Sequence, residues 1–301
     1  MINLQGTFTA LITPFTADGS SVDLERLDRN VRHQALAGVQ GVVPCGTTGE
    51  TPTLSSEEYH EIVARVIDVG HSSGMKVIPG AGSNSTAHAI EYHRFAHRHG
   101  ADAALHVNPY YNRPSQEGLY RHFMAIADSC ELPIILYNIP GRTGVLMSLD
   151  TISRLARHPN IVAIKDATGG LDFVSSVVEQ TSLTVLSGDD PLTLPMAILG
   201  ARGVISVLSN LLPDRVAALS NAFLSGDWEG ARRLNDALLP LAKSLLGLDT
   251  NPVPIKTALA LLGRDTGAVR LPLCEMSGAN LDRLRQLLRQ EKLESPVAAS
   301  R

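Results

Sequence analysis

Cysteine is scarce. Cys45, Cys130 and Cys274 are the only three in 301 residues. They are widely spaced, odd in number and form no CxxC pair, so no disulfide framework is expected and a reducing cytoplasm fits. A basic excess is also lacking. Lys and Arg total 26 against 30 Asp and Glu, for a net charge of -4 and a pI near 6.2. A nucleic-acid partner would need clustered positive charge, although a few local arginines can still hold a small acidic substrate. No apolar run approaches the roughly 18 residues that a membrane span requires. The opening MINLQGTFTALITPF has neither a basic leader nor a small-residue cleavage site and reads as a first strand. The expectation is a soluble cytoplasmic protein without membrane or nucleic-acid partners.

Apolar residues make up 44% and charged residues 19%, the balance of a globular protein with a large core. Strand-like runs occur at 7–13, 41–44, 76–80, 102–107, 133–138, 161–165, 184–188 and 203–207. Amphipathic stretches follow most of them, at 23–37, 55–72, 85–99, 115–130, 148–157, 171–180 and 190–200. Near-continuous apolar strands separated by helices argue for a parallel sheet buried on both faces. Eight such units predict an α/β fold, a (β/α)8 TIM barrel rather than an open sheet. Ser55 and Ser115 mark helix starts, and Gly38, Gly74 and Gly100 mark helix ends. Past residue 213 the alternation stops. Two helices broken at Ser225-Gly226-Asp227, another opened by NPVPIK (251–256) and a last one over 277–292 complete the chain. The expected division is a catalytic barrel over 1–226 and a C-terminal helical region over 227–301, with ESPVAASR frayed.

In such a barrel, reacting groups sit at the C-terminal ends of strands. Those ends offer Thr47 and Thr48, then Asn108, Tyr110 and Tyr111, then Tyr137, Asn138 and Arg142. They also offer Lys165, Asp166, Asp189 and Asp190. The chain has only five lysines. Lys76 begins its strand, at the wrong end of the barrel, and Lys243, Lys256 and Lys292 fall in the helical region. Lys165 alone ends an apolar strand, IVAIK. Desolvation there lowers an amine's pKa and makes it a nucleophile for a keto acid; the competing reading is a snorkelling or ion-paired lysine. Tyr137 ends the preceding strand and can meet Lys165 inside the barrel, where Schiff-base chemistry needs proton transfer. Thr48 and Tyr111 can extend a hydroxyl relay, although each alone also suits packing or capping. The GTTGE loop offers amides and hydroxyls to a carboxylate, or is simply a tight turn. Arg142 can clamp a second carboxylate, or be a solvated loop residue.

Other signals carry less. Gly80-Ala81-Gly82 follows a strand, but Ser85 takes the third small position of a dinucleotide loop and Asp102 opens a strand instead of ending one. His88, His93, His97 and His99 crowd one helix, read as a solvated face, since no HExxH or cysteine partner supports a metal. Cys45 reads as a small buried residue.

With these residues in view, the chain resembles the dihydrodipicolinate synthase family of the N-acetylneuraminate lyase superfamily. The matching segments are ALITPF (10–15), GTTGE (46–50), NPYYNRPSQEGLY (108–120), YNIPGRTG (137–144), IKDATG (164–169), LSGDD (186–190), GVISV (203–207) and NPVPIK (251–256). The resemblance implies that Lys165 forms an imine with pyruvate. It implies a proton relay of Tyr137, Thr48 and Tyr111, with Tyr111 supplied across a subunit interface. The amides of Thr47 and Thr48 would hold the pyruvate carboxylate, Arg142 would receive aspartate-4-semialdehyde, and the Gly188 and Ile205 backbones would line the pocket. A homotetramer built as a dimer of dimers, no cofactor and no metal are further implications, as is a place in lysine and diaminopimelate biosynthesis. Sugar-acid lyases of the superfamily generally lack the GRTG arginine, so Arg142 favours the synthase. The alternatives are another class I pyruvate lyase or aldolase, acting on a 2-keto-3-deoxy sugar acid or hydroxy-keto acid, and a non-catalytic keto-acid-binding paralogue. Lysine-inhibited members carry an acidic residue where this chain has His88, with Ser56 and Tyr59 also departing and Asn84 matching. Weak or absent lysine feedback is expected.

Overall fold

The computed structural model describes residues 2–293. Eight parallel strands are β1 (Gly6–Ala10), β2 (Gly41–Val43), β3 (Lys76–Val77), β4 (Ala104–Val107), β5 (Ile134–Asn138), β6 (Ile161–Asp166), β7 (Thr184–Ser187) and β8 (Gly203–Ser206). Their order is β3-β2-β1-β8-β7-β6-β5-β4. The two outermost strands also meet. A parallel bridge joins Gly80 to Leu105, the Ala81 amide donates to Leu105, and the Leu105 amide donates to the Pro79 carbonyl, each at 2.9 Å. The sheet closes on itself, and the fold is the expected (β/α)8 barrel.

The closure explains the glycines that mimic a nucleotide loop. A Cβ on Gly80 would lie 2.2 Å from the Cys45 carbonyl oxygen, and one on Gly82 would lie 2.5 Å from the Val107 nitrogen. Both residues let neighbouring strand ends crowd together, which is a packing role. Asp102 has a structural task too. Its Oδ2 accepts from the Val77 amide at 2.8 Å and lies 2.9 Å from His71 Nε2, fastening the start of β3.

The strands alternate as a pleated, doubly buried sheet must. On β6, Ala163 joins the interior cluster with Phe8, Leu105, Ile135, Tyr137 and Ile205, whereas Ile164 joins the outer cluster with Leu119, Phe123 and Ile152. Lys165 comes next and returns to the inner face.

The outer layer is α1 (Leu24–Leu36), α2 (Ser56–Ser72), α3 (Thr86–Arg98), α4 (Gln116–Ala127), α5 (Pro140–Thr143), α6 (Leu149–Leu155), α7 (Leu171–Gln180), α8 (Thr193–Ile198) and α9 (Pro213–Leu224). Ser55 and Glu58 form a reciprocal capping box and Ser115 accepts from the Gly118 amide. Gly38, Gly74 and Gly100 take the left-handed conformation that stops a helix. The one-turn helix α5 was not signalled by periodicity, being too short to show any. The stretch 190–200 divides into a tight turn over Asp190–Leu192 and α8. Among the described residues no helix is long and apolar enough to cross a membrane.

The histidine-rich helix departs from expectation. His88, His97 and His99 are exposed, but His93 is fully buried. Its Nδ1 lies 3.0 Å from Nε2 of buried His106 on β4. The reason is spacing: His93 shares the inward stripe of α3 with Ala89 and Ala96. His122 of α4, also buried, bonds Thr86 at 2.9 Å through Nδ1.

The chain continues with α10 (Trp228–Leu248), α11 (Val253–Leu261) and α12 (Gly278–Gln290). The turn at 225–227 separates α9 from α10, yet one hydrophobic cluster runs through Ile12, Val204, Phe223, Leu241, Ile255 and Leu284. The tail 294–301 lies outside the described residues.

Candidate active site

Lys165 and Tyr137 are paired in register on the adjacent strands β6 and β5. Parallel partners share a face, so both side chains enter the mouth of the barrel together. Lys165 Nζ sits 4.2 Å from the centre of the Tyr137 ring. Lys165 is 6% exposed. Burial lowers its pKa to about 8, the Asp190 carboxylate opposes that shift and the Arg142 guanidinium adds to it. The amine is thus partly neutral near physiological pH. Burial pushes the Tyr137 phenol up to about 12, with Arg142 pulling it down and Asp189 raising it. Tyr137 therefore keeps its proton near neutrality and is equipped to donate it.

Gly188 follows β7 beside the amine. A Cβ there would meet Ala167 Cβ at 2.9 Å and Lys165 Cε at 3.0 Å. Its lack of a side chain leaves the lysine stem its channel. Ile205 lies on β8 in the barrel interior. Just beyond it, the half-buried Asp190 carboxylate accepts from the Val207 and Leu208 amides at 2.9 and 3.0 Å and from the Ser206 hydroxyl. Asp190 thus ties the end of β7 to the end of β8 and faces Lys165 with negative charge.

The GTTGE loop follows β2. Thr48 is buried and Thr47 is half-buried. The two hydroxyls differ. Thr48 Oγ1 accepts from Asn251 Nδ2 at 3.0 Å, whereas among the described residues no partner engages the Thr47 hydroxyl. Arg142, on α5, is exposed and donates through Nη2 to the Asn251 carbonyl at 3.3 Å. Its charge lowers both the Lys165 amine and the Tyr137 phenol.

Tyr111 does not join this group within one chain. It is 91% exposed, at a loop tip in the left-handed conformation (φ 71°). Tyr110 is far less exposed. The other strand-end polar residues hold the scaffold. Asn108 Nδ2 donates to Asn138 Oδ1 at 3.0 Å, and Asn138 in turn bonds both backbone groups of Met147. Burial raises Asp166 to about 6, on the outer side of β6. Cys45 is buried, and burial alone pushes its thiol up, away from nucleophilic character.

A model of the dihydrodipicolinate synthetase family matches residues 3–291. The chain belongs to that family. The 4-hydroxy-tetrahydrodipicolinate synthase of Methanothrix thermoacetophila is 49% identical over 287 residues, 94% of this chain and 96% of that protein. The structure of the 4-hydroxy-tetrahydrodipicolinate synthase of Methylacidiphilum fumariolicum SolV superposes with a TM-score of 0.93 at 48% identity, covering 96% of each chain. That of the chloride-inhibited dihydrodipicolinate synthase from Acinetobacter baumannii, complexed with pyruvate, gives 0.93 at 41% identity, covering 97% of this chain and all of the other.

Sequence reasoning passed over the C-terminal contribution to this family site. Lys256 lies in the helical region, as expected, on α11. Its Nζ is in fact fully buried, 2.6 Å from Glu50 Oε1 and 2.9 Å from the Thr13 carbonyl. Glu50 ends the GTTGE motif, so α11 grips the loop that carries Thr47 and Thr48. The one available signal was that NPVPIK stood among the family segments with no chemistry attached to it.

Proposed function

We propose that this chain condenses pyruvate, held as an imine on Lys165, with aspartate-4-semialdehyde, as a 4-hydroxy-tetrahydrodipicolinate synthase of the lysine and diaminopimelate route. The observation that carries this reading is the buried Lys165 amine, lowered to about 8, in register with Tyr137 at the barrel mouth. Near-half identity to synthases over almost the whole chain supports the same reaction. The neutral amine attacks the keto carbon, and water leaves as the imine forms. Loss of a methyl proton gives the enamine, whose carbon adds to the aldehyde. The amino group of the adduct then attacks the imine carbon and releases Lys165 as the six-membered ring closes. The imine itself is the electron sink, and Tyr137 supplies and recovers protons around it.

The loop threonines divide this work. With Asn251 donating to it, the Thr48 hydroxyl is best used as a donor to the pyruvate carboxylate beside the loop amides. The unengaged Thr47 hydroxyl is a better link between Tyr137 and a second tyrosine than the Thr48 hydroxyl expected from the resemblance. Exposed Tyr111 suits insertion into a neighbouring subunit, in a homotetramer working in the cytoplasm. Arg142 suits the carboxylate of the semialdehyde.

Borohydride reduction in the presence of pyruvate, followed by peptide mass mapping, tests the central step. A single adduct on Lys165 is expected, and an adduct elsewhere or none removes the mechanism. A coupled assay with aspartate-4-semialdehyde then separates the synthase from a sugar-acid lyase sharing the same imine.

A further inference from the structure

Asn251 belongs to the segment between α10 and α11, far along the chain from every strand, yet it touches two residues of the site. Its side-chain Nδ2 donates to Thr48 Oγ1 at 3.0 Å, and its backbone carbonyl accepts from Arg142 at 3.3 Å. The segment is held by a local turn and by an anchor beyond it. The Val253 amide bonds the Thr250 carbonyl at 2.9 Å. Lys256, one turn into α11, is fixed by Glu50 and Thr13. Glu50 is two residues from Thr48, so α11 and the loop form one rigid unit.

A free threonine hydroxyl can rotate and can donate or accept. An amide N–H pointed at its oxygen removes that freedom: one lone pair is taken, and the hydroxyl proton must turn away from Nδ2. We propose that Asn251 is a positioning residue that sets the Thr48 hydroxyl as a donor aimed at the carboxylate of the bound keto acid. The inference rests on the keto-acid reading of the site and extends it to a residue outside the barrel. Arg142 is held through the Asn251 backbone, which a side-chain change leaves in place. The two carboxylate subsites are therefore separable by mutation.

The experiment compares Asn251→Ala and Asn251→Asp in the full-length protein, alone and with Thr48→Val. Each is read by the pyruvate concentration that half-saturates borohydride trapping. Asp presents only acceptors at neutral pH, so it draws the Thr48 proton towards itself and reverses the polarity. It is expected to raise the half-saturating pyruvate by about tenfold or more, the size of one lost hydrogen bond to a charged group. Ala, which frees the hydroxyl without reversing it, is expected to raise it by only about threefold. For Ala, trapping at saturating pyruvate and the KM for the semialdehyde should stay within about twofold, since neither the amine nor Arg142 has moved. In the Thr48→Val background the Ala change should not matter further.

Equal half-saturation in wild type and Asn251→Asp would overturn the proposal. So would loss of saturated trapping with half-saturation unchanged, the signature of a merely structural contact. Additive effects in the Ala/Val pair would overturn it as well, and that pair introduces no charge that could impair folding. If wild type gives no Lys165 adduct, the keto-acid reading itself has failed and this role falls with it; an intact adduct with unchanged half-saturation fails this role alone.

Discussion

Lys165 is a buried amine whose folded pKa of about 8 lies below its ordinary 10.5. Two consequences follow at this single residue. In the proposed reaction the neutral form attacks, so the rate of imine formation should rise about tenfold per pH unit up to about 8 and level off above it, as read by rapid-quench borohydride trapping. For stability the sign is opposite. A base with a depressed pKa penalises folding wherever the unfolded chain is protonated, fully below about 8 and not at all above 10.5. Lys165→Met should therefore raise stability at pH 7 by on the order of 1–3 kcal/mol, with the gain shrinking towards pH 10, as measured by denaturant midpoints. Gly188→Ala should act differently. Its methyl would press on Lys165 Cε and displace the amine, with a loss of kcat on the order of a hundredfold. At this scale the sequence was informative for Lys165, because one lysine of five ends an apolar strand. It was silent on Asn251, which sits in a loop with no period and meets Thr48 only through the tertiary fold.

The decisive element is the GTTGE loop, and its stability comes from elsewhere in the chain. Glu50 and Lys256 are an ion pair with almost no solvent contact, further held by the Thr13 carbonyl and the Arg270 amide. Removing one charge strands the other. Lys256→Met should lower stability by about 3–5 kcal/mol, and adding Glu50→Gln should return part of that loss, as read by denaturant unfolding of the two variants. Strands and helices were legible because period-2 and period-3.6 patterns are set locally: each of the eight strands lies within or beside its predicted run. What a helix docks against is not set locally. The C-terminal helices were visible as amphipathic segments, but nothing in their own pattern said that α11 returns to the barrel mouth. The cap at Ser55 was readable; that Arg270 also grips Glu58, at 2.6 and 2.7 Å, was not.

For the whole molecule, the buried histidines set a limit at acid pH. Burial holds His93 and His122 at about 4 and His106 well below its ordinary 6.5. The unfolded chain takes up these protons first as pH falls below 6.5, so stability should decline from there. The loss approaches about 3 kcal/mol each for His93 and His122 by pH 4. Midpoints of urea unfolding between pH 7 and 4.5 check the slope. The spacing of His93 and His97 suggested one shared face; the angle of the α3 stripe to the core decided which of the two went inside. Tyr59 is buried in the core with its hydroxyl on the Gly80 carbonyl at 3.0 Å, while Ser56 and His88 are exposed and carry no carboxylate. Activity should accordingly stay unchanged in millimolar lysine in a coupled assay.

The reach of residues 251–256 back to Thr48 and Glu50 has a meaning in time as well as in space. All eight strands, and the amine with them, are synthesised by residue 206, whereas Asn251 and Lys256 leave the ribosome later. A nascent chain holds Lys165 before it holds the brace for its GTTGE loop. A chain cut short before residue 251 would lack both side-chain contacts on the GTTGE loop and part of the cluster that packs against the barrel.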